Sequence, residues 1–335
     1  MVLDKKPSAI VKYLNRYVMG QDDAKKTLAV AVYAHFRKLA QPRADDAPIV
    51  KSNVLLIGPT GTGKTLMCET LSRALGVPFV TAEATSLAQT RYVNEEIEGI
   101  LQRLIDRADG DVGRAQHGIV FIDEIDKLKA VDGQPRSTSG ESVQHALLKI
   151  MEGAMVRLAD GRYLDTTSIL FICGGAFVGL DKIASATHTY GYISTSGEDN
   201  PAILRRLNAR IKPTDLFEFG LIPEFTGRLP ITARFQELTK PMLVRIMTEP
   251  ANSLYSQFRD IFKSEGVELV VAPAVFEQIA DLAIEYRNGA RSLRGLFEEL
   301  LTPVLYVVPD DPRIRQVVIT SLFAEPKVIR GERSG

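Results

Sequence analysis

Cysteine is nearly absent: Cys68 and Cys173 are the only two in 335 residues. Two thiols cannot build a disulfide framework or a four-cysteine zinc site, and each sits inside an apolar segment, where packing is the expected role. Histidine is scarce too, and its four copies, His35, His117, His145 and His188, are scattered without metal-ligand spacing. No metal is expected beyond the one a nucleotide brings. Neither sign of charge dominates, with 41 Lys and Arg against 41 Asp and Glu. A chain that holds nucleic acid mainly through its phosphates carries a basic excess, so nucleic acid is not an expected partner. Long hydrophobic runs are missing too. The longest, Ile169 to Leu180, ends at Asp181 and is too short to cross a bilayer. The opening stretch MVLDKKPSAIVKYLNRYV has no uninterrupted apolar core of the secretory kind. These absences predict a soluble, cytoplasmic protein with no membrane contact.

What is present is an ordinary globular balance, 45% apolar and 24% charged, over a length that suits two domains. Residues 8–40 read as helix, with Ile10, Val11, Leu14, Tyr17 and Val18 at helical spacing, and a second helix after Gly20. Short apolar runs then alternate with helical stretches: Asn53–Ile57, Val77–Ala82, Gly118–Ile122, Ser168–Cys173 and Leu229–Phe235. That alternation predicts an α/β fold, a parallel sheet with helices on both faces. Polar stretches at 129–141 and 185–212 interrupt it as long loops. After Leu238 the texture becomes mainly helical, with Lys240–Ser264, Ala274–Arg287 and Arg291–Tyr306 as helices and Glu268–Ala272 and Gln316–Leu322 as short strands. The expected division is a large domain over 1–237, with its core at 53–237, a small domain over 238–324, and a polar tail over 325–335.

The segment Gly58-Pro59-Thr60-Gly61-Thr62-Gly63-Lys64-Thr65 fits the phosphate-loop pattern at every fixed position. Val54 to Ile57 enters it as a strand and Leu66 leaves it as a helix, and all nine residues from Gly58 to Leu66 are assigned to nucleotide binding. The glycines let backbone N–H groups close around phosphates. Lys64 is suited to the β- and γ-phosphates, and the Thr65 hydroxyl to Mg²⁺. Further on, Ile119 to Ile122 is a buried strand that ends in Asp123 and Glu124, which places both acids at the carboxyl edge of the sheet. Asp123 suits the Mg²⁺ shell and Glu124 the activation of water as general base. Together the two motifs predict hydrolysis of ATP or GTP.

The acidic pair, in place of a lone Asp, resembles the AAA+ ATPases. Tyr17-Val18-Met19-Gly20-Gln21, Phe121 to Lys127, ALLKIMEG at 146–153, LFICGGAFVGLDK at 170–182, FGLIPEFTGRLP at 219–230 and GARSL at 289–293 narrow the likeness to the ClpX family of Clp/Hsp100 unfoldases. It covers residues 8 to about 323. It implies an AAA+ P-loop NTPase large domain with a small helical α+β lid, ATP with Mg²⁺ as cofactors, and a homohexameric ring acting on protein substrates. Val18 and Met19 would line the adenine pocket. Arg228 would be the arginine finger reaching a neighbour's γ-phosphate, and Arg291 the sensor-2 arginine of the lid. Tyr92 and Val93 would be the pore-loop pair that grips a threaded polypeptide.

The sequence departs from that family in four places. It contains no C-x₂-C pair from which to build the family's N-terminal zinc-binding domain, which is expected to be absent. The pore loop Gly-Tyr-Val-Gly is here Arg91-Tyr92-Val93-Asn94, stiffer and bulkier without its glycines. The Ile-Gly-Phe loop that docks on the ClpP peptidase has no counterpart in Ser185 to Arg210, where Tyr190-Gly191-Tyr192-Ile193 is the nearest candidate. The basic loop by the pore entrance is shortened to Arg157–Tyr163. The expected function is therefore an ATP-driven unfoldase or remodelling chaperone not coupled to ClpP in the usual way. A dedicated peptidase docked through another loop, or a nucleotide-switched scaffold, are the alternatives.

Overall fold

The computed structural model describes residues 6–40, 53–90, 92–129, 140–188 and 211–331. Backbone contacts divide the chain into two compact units. One holds the described residues of Met1–Ile10, Asp23–Gly58 and Cys68–Phe235; the other holds those of Val11–Asp22, Pro59–Met67 and Gln236–Gly335.

The first unit is built on a parallel sheet. Its strands are β1 (Val54–Ile57), β2 (Phe79–Glu83), β3 (Ile119–Asp123), β6 (Leu170–Gly175) and β7 (Ile231–Arg234), in the spatial order β2-β3-β6-β1-β7. Burial explains the order. Every residue of β1 and β6 is buried, as are the first four of β3, which is what strands covered on both faces require. The outer strands β2 and β7 keep exposed positions, Thr81, Glu83 and Arg234 among them. The predicted α/β class is the observed one, with helices such as Asp22–Ala40, Lys64–Leu75, Val93–Asp106 and Gly140–Glu152 flanking the sheet. The wide apolar face of Val93–Asp106 (Ile97, Ile100, Leu101, Leu104 and Ile105) is buried in the same core as Val80, Val120 and Ile122. Parallel strands bring all their carboxyl ends to one edge, so β1 and β3 bring Gly58, where the phosphate loop begins, and the acidic pair to the same edge of the sheet.

Two short strands escape the sequence pattern: β4 (Met155–Arg157) and β5 (Tyr163–Asp165), an antiparallel hairpin. The segment read as a shortened basic loop, Arg157–Tyr163, is the turn of this hairpin. Asp160 closes it by accepting from the backbone N–H and the Nε of Arg162 at 2.9 and 2.7 Å, and those bonds hold its carboxyl below the usual range.

The second unit packs helices on a three-stranded sheet, β8 (Glu268–Val271), β9 (Ile314–Ile319) and β10 (Lys327–Arg330), in the order β10-β9-β8. Its core includes Phe258, Phe276 and Phe297, with ring centroids 5.3 Å apart for Phe258–Phe297 and 6.0 Å for Phe276–Phe297. Two expectations change here. Lys240–Ser264 is not one helix but two, Lys240–Thr248 and Leu254–Ser264. Glu249 still donates to the Arg245 carbonyl at 2.8 Å, but Pro250 has no N–H to carry the ladder further, and Ser253 restarts the helix by accepting from the Ser256 N–H at 3.2 Å. The stretch 325–335, expected to be a polar tail, contributes β10, which pairs antiparallel with β9. Asp311 fastens it, accepting from Arg330 Nε and Arg313 Nε at 2.8 Å each. The two guanidiniums, Arg313 first, hold that carboxyl well below its ordinary range.

Candidate functional site

The phosphate loop opens where β1 ends, at Gly58, whose N–H donates to the Gly175 carbonyl at 3.1 Å. Gly61 and Gly63 have φ of +77° and +94°, conformations that glycine adopts without strain. The two differ in what surrounds them. A Cβ on Gly61 would stand 2.4 Å from the Asn288 carbonyl oxygen, whereas one on Gly63 would meet nothing within 4 Å. Gly63 is thus required by its backbone alone, and Gly61 also by close approach to the turn 288–290, where the Ala290 N–H donates to the Gly61 carbonyl at 3.2 Å. Inside the loop, the Pro59 carbonyl accepts from Thr62 Oγ1 at 2.7 Å and from Lys64 Nζ at 3.0 Å. Lys64 is only 7% exposed, and an ammonium held that deeply is suited to an anion rather than to water. Lys64 and Thr65 begin the helix Lys64–Leu75, with Leu66 partly exposed beside them. The loop therefore stands at a helix N-terminus, where backbone N–H groups and the helix dipole favour phosphate.

At the end of β3 the two acids are handled differently. Asp123 is half-buried, and its Oδ1 accepts from the Glu124 N–H at 2.8 Å. Glu124 adopts φ +59°, ψ +30°, a left-handed conformation that is uncommon for a residue with a Cβ. Its Oε2 accepts from Thr85 Oγ1 at 3.0 Å. Strain at a polar residue ending a central strand is a mark of a functional position. Below them, Asp126 is 4% exposed and accepts from the Ala176 and Phe177 N–H groups at 3.2 and 3.4 Å, tying the end of β6 to the turn that follows the acids. Cys68 is fully buried, and burial followed by the Asp123 charge pushes its thiol well up; burial also raises Cys173. Both thiols stay protonated, consistent with a packing role. The oxygen donors of Thr65 and Asp123 are the hard ligands that Mg²⁺ takes.

The other predicted residues fall as follows. Val18 and Met19 are buried, at 4% and 8%, after the first helix has ended at Leu14, and neither Tyr17 nor Val18 is in that helix. Beside the phosphate loop, a cavity of about 380 Å³ is lined by residues that include Pro59, Thr60, Glu237, Leu238 and Arg287. Glu237 and Arg287 belong to no motif; Asn288-Gly289, a turn dipeptide, marks the place in the chain just after Arg287, which stands at φ +53°. Arg291 is the first residue of the helix Arg291–Val307 and is exposed. Tyr92 is 65% exposed at the N-cap of the helix Val93–Asp106, its N–H donating to Thr90 Oγ1 at 3.1 Å. Val93 and Asn94 are thus the first turn of a helix rather than a loop. Arg228 follows the short helix Pro223–Gly227 and pairs with Glu152 through Nε at 2.8 Å and Nη2 at 2.7 Å. Arg91 and the segment 189–210, with Tyr190–Ile193 in it, lie outside the described residues. Among the described residues no group of side chains is arranged to hold a metal by itself, and no helix is long and apolar enough to cross a membrane.

Comparison with known proteins gives concordant results. Residues 50–232 match the AAA domain (Cdc48 subfamily), and residues 238–316 match the C-terminal, D2-small domain of ClpB protein. Among curated relatives, an ATP-dependent Clp protease ATP-binding subunit ClpX of Treponema denticola is 44% identical over 330 residues, covering 93% of this chain and 80% of that protein. Proteins of the same name from Azotobacter vinelandii and Bacteroides thetaiotaomicron are each 43% identical, over 92% and 96% of this chain and 76% and 82% of their own lengths.

Proposed function

Because the chain belongs to the ClpX family of AAA+ ATPases, we propose that it is a ring-forming motor that uses ATP to unfold or remodel proteins drawn through a central pore. That it is an ATPase follows from the family itself; the threading, the ring and the absence of the usual ClpP coupling are the proposal. Tyr92 is the observation that carries it: a large ring, 65% exposed, fixed at the head of a helix whose other face is buried in the ATPase core. The buried face anchors the helix that Tyr92 heads, and the exposed ring suits contact with side chains of any sequence.

In this reading, the amides of Gly58 to Thr65 and the Lys64 ammonium bind the triphosphate, with Val18 and Met19 at the adenine. Thr65 and Asp123 would hold Mg²⁺, which supplies charge neutralisation at the transferred phosphoryl group when bound. Glu124 would take the proton of the attacking water, and Thr85 would fix the carboxylate's orientation. Arg228 would serve a neighbouring subunit, as part of a homohexamer, and Arg291 would report the nucleotide state to the helices behind it. The family's other ring partners, a ClpP-type peptidase above all, are not invoked: no Ile-Gly-Phe tripeptide occurs in the sequence.

Tyr92→Ala tests the grip. The variant is expected to hydrolyse ATP at about the wild-type basal rate and to lose unfolding of a tagged fluorescent protein. Full unfolding activity in Tyr92→Ala would rule the ring out as the essential contact and favour a nucleotide-switched scaffold.

A further inference from the structure

Glu152 ends the helix Gly140–Glu152, where a carboxylate faces the negative end of the helix dipole. Its position brings the helix no electrostatic gain, so another partner must account for it. That partner is Arg228, 76 residues away in sequence, whose Nε donates to a Glu152 carboxylate oxygen at 2.8 Å while Nη2 lies 2.7 Å from the same oxygen as an ion pair. We propose that Glu152 is a positioning residue for catalysis, orienting the Arg228 guanidinium for the phosphoryl group of a neighbouring subunit; this rests on the trans reading of Arg228.

The geometry supports it in three ways. Guanidinium is a planar fork with five N–H donors. Glu152 takes the side edge formed by Nε and Nη2, and the end-on edge, Nη1 with the remaining hydrogen of Nη2, has no partner among the described residues. One carboxylate therefore fixes the plane of the fork without using the edge suited to a phosphate. The platform is also rigid. Buried Thr166 donates to the Ile150 carbonyl at 2.8 Å and accepts from the Ala154 N–H at 2.9 Å, which clamps the chain on both sides of Glu152. Both partners are about half exposed, at 53% for Arg228 and 41% for Glu152. An ion pair this open to water costs little to adjust when a second anion arrives at the free edge.

The test is steady-state ATP hydrolysis by the full chain assembled as a ring, with assembly checked by size for each variant. Glu152→Ala is expected to lower kcat about 5- to 50-fold, the scale of a coupled pair, with KM for ATP within about twofold of wild type. Glu152→Gln, which keeps the shape and an acceptor oxygen, is expected to lose less, and guards against a folding defect. Glu152→Ala combined with Arg228→Ala should turn over no more slowly than Arg228→Ala alone. A Glu152→Ala ring with near-normal kcat beside an inactive Arg228→Ala ring would overturn the positioning role and leave the trans reading standing. Additive losses in the double variant would likewise overturn it, as a structural effect. Normal turnover by Arg228→Ala would remove the trans reading and the proposal with it.

Discussion

Glu124→Gln is expected to reduce ATP turnover by about 10²- to 10⁴-fold, the usual value of a positioned general base, while ATP binding is retained. The substitution keeps the side chain's length and shape. It also keeps an oxygen that can accept from Thr85 Oγ1, the bond seen at 3.0 Å. What it removes is basicity and charge. The backbone at Glu124 is held at φ +59° by the strand before it and the tight turn Ile125–Leu128 after it, so the side chain is presented in one direction whichever group it carries. Binding should not follow turnover, because Lys64 and the amides of the loop do not depend on that carboxyl. Equilibrium binding of a fluorescent ATP analogue, measured beside phosphate release, separates the two. Turnover at the wild-type rate would remove Glu124 as the base.

The second large effect is expected at Arg228. Arg228→Ala should cut hydrolysis in the assembled ring by about 10³- to 10⁵-fold, the range for an arginine supplied to a transferring phosphoryl group, with nucleotide binding by isolated subunits unchanged. The side chain is 53% exposed and carries an open end-on edge, as a group acting outside its own subunit must. Mixing gives the decisive version. Arg228→Ala and Glu124→Gln are each expected to be inactive alone, yet mixed rings contain interfaces where an intact Glu124 meets an intact Arg228. Recovery of turnover on mixing is the expected result. No recovery in rings shown to be mixed would place Arg228 in its own subunit's chemistry or outside chemistry altogether.

How far these residues were legible in the sequence depends on how local their signals are. The loop Gly58–Thr65 and the pair Asp123-Glu124 were readable because each is a contiguous motif bounded by a strand, and the fully buried runs of β1, β3 and β6 announce a parallel sheet by composition alone. The left-handed backbone at Glu124 was not readable: glutamate has no preference for it, and the fold imposes it. β10 was missed because only Val328 and Ile329 lie between charged residues, and its pairing with β9 and its Arg330–Asp311 contact are with partners earlier in the chain. The hairpin β4–β5 escaped for the same reason, its strands being too short to show a period of two. The break between Thr248 and Leu254 was there to be read in Pro250, but the amphipathic pattern runs on through it. Glu152 carried no motif of its own as a partner for Arg228, since ion pairs between distant residues leave no spacing rule.

If ATP hydrolysis in this chain drives the movement of a polypeptide, the polypeptide must in turn affect hydrolysis. The most direct measurement is steady-state hydrolysis with and without an unfolded protein, using Glu124→Gln as the blank. A motor of this kind is expected to show a rate that rises with polypeptide concentration and saturates, and a rise that disappears in Tyr92→Ala while the basal rate remains. A wild-type rate indifferent to polypeptide at every concentration would contradict it.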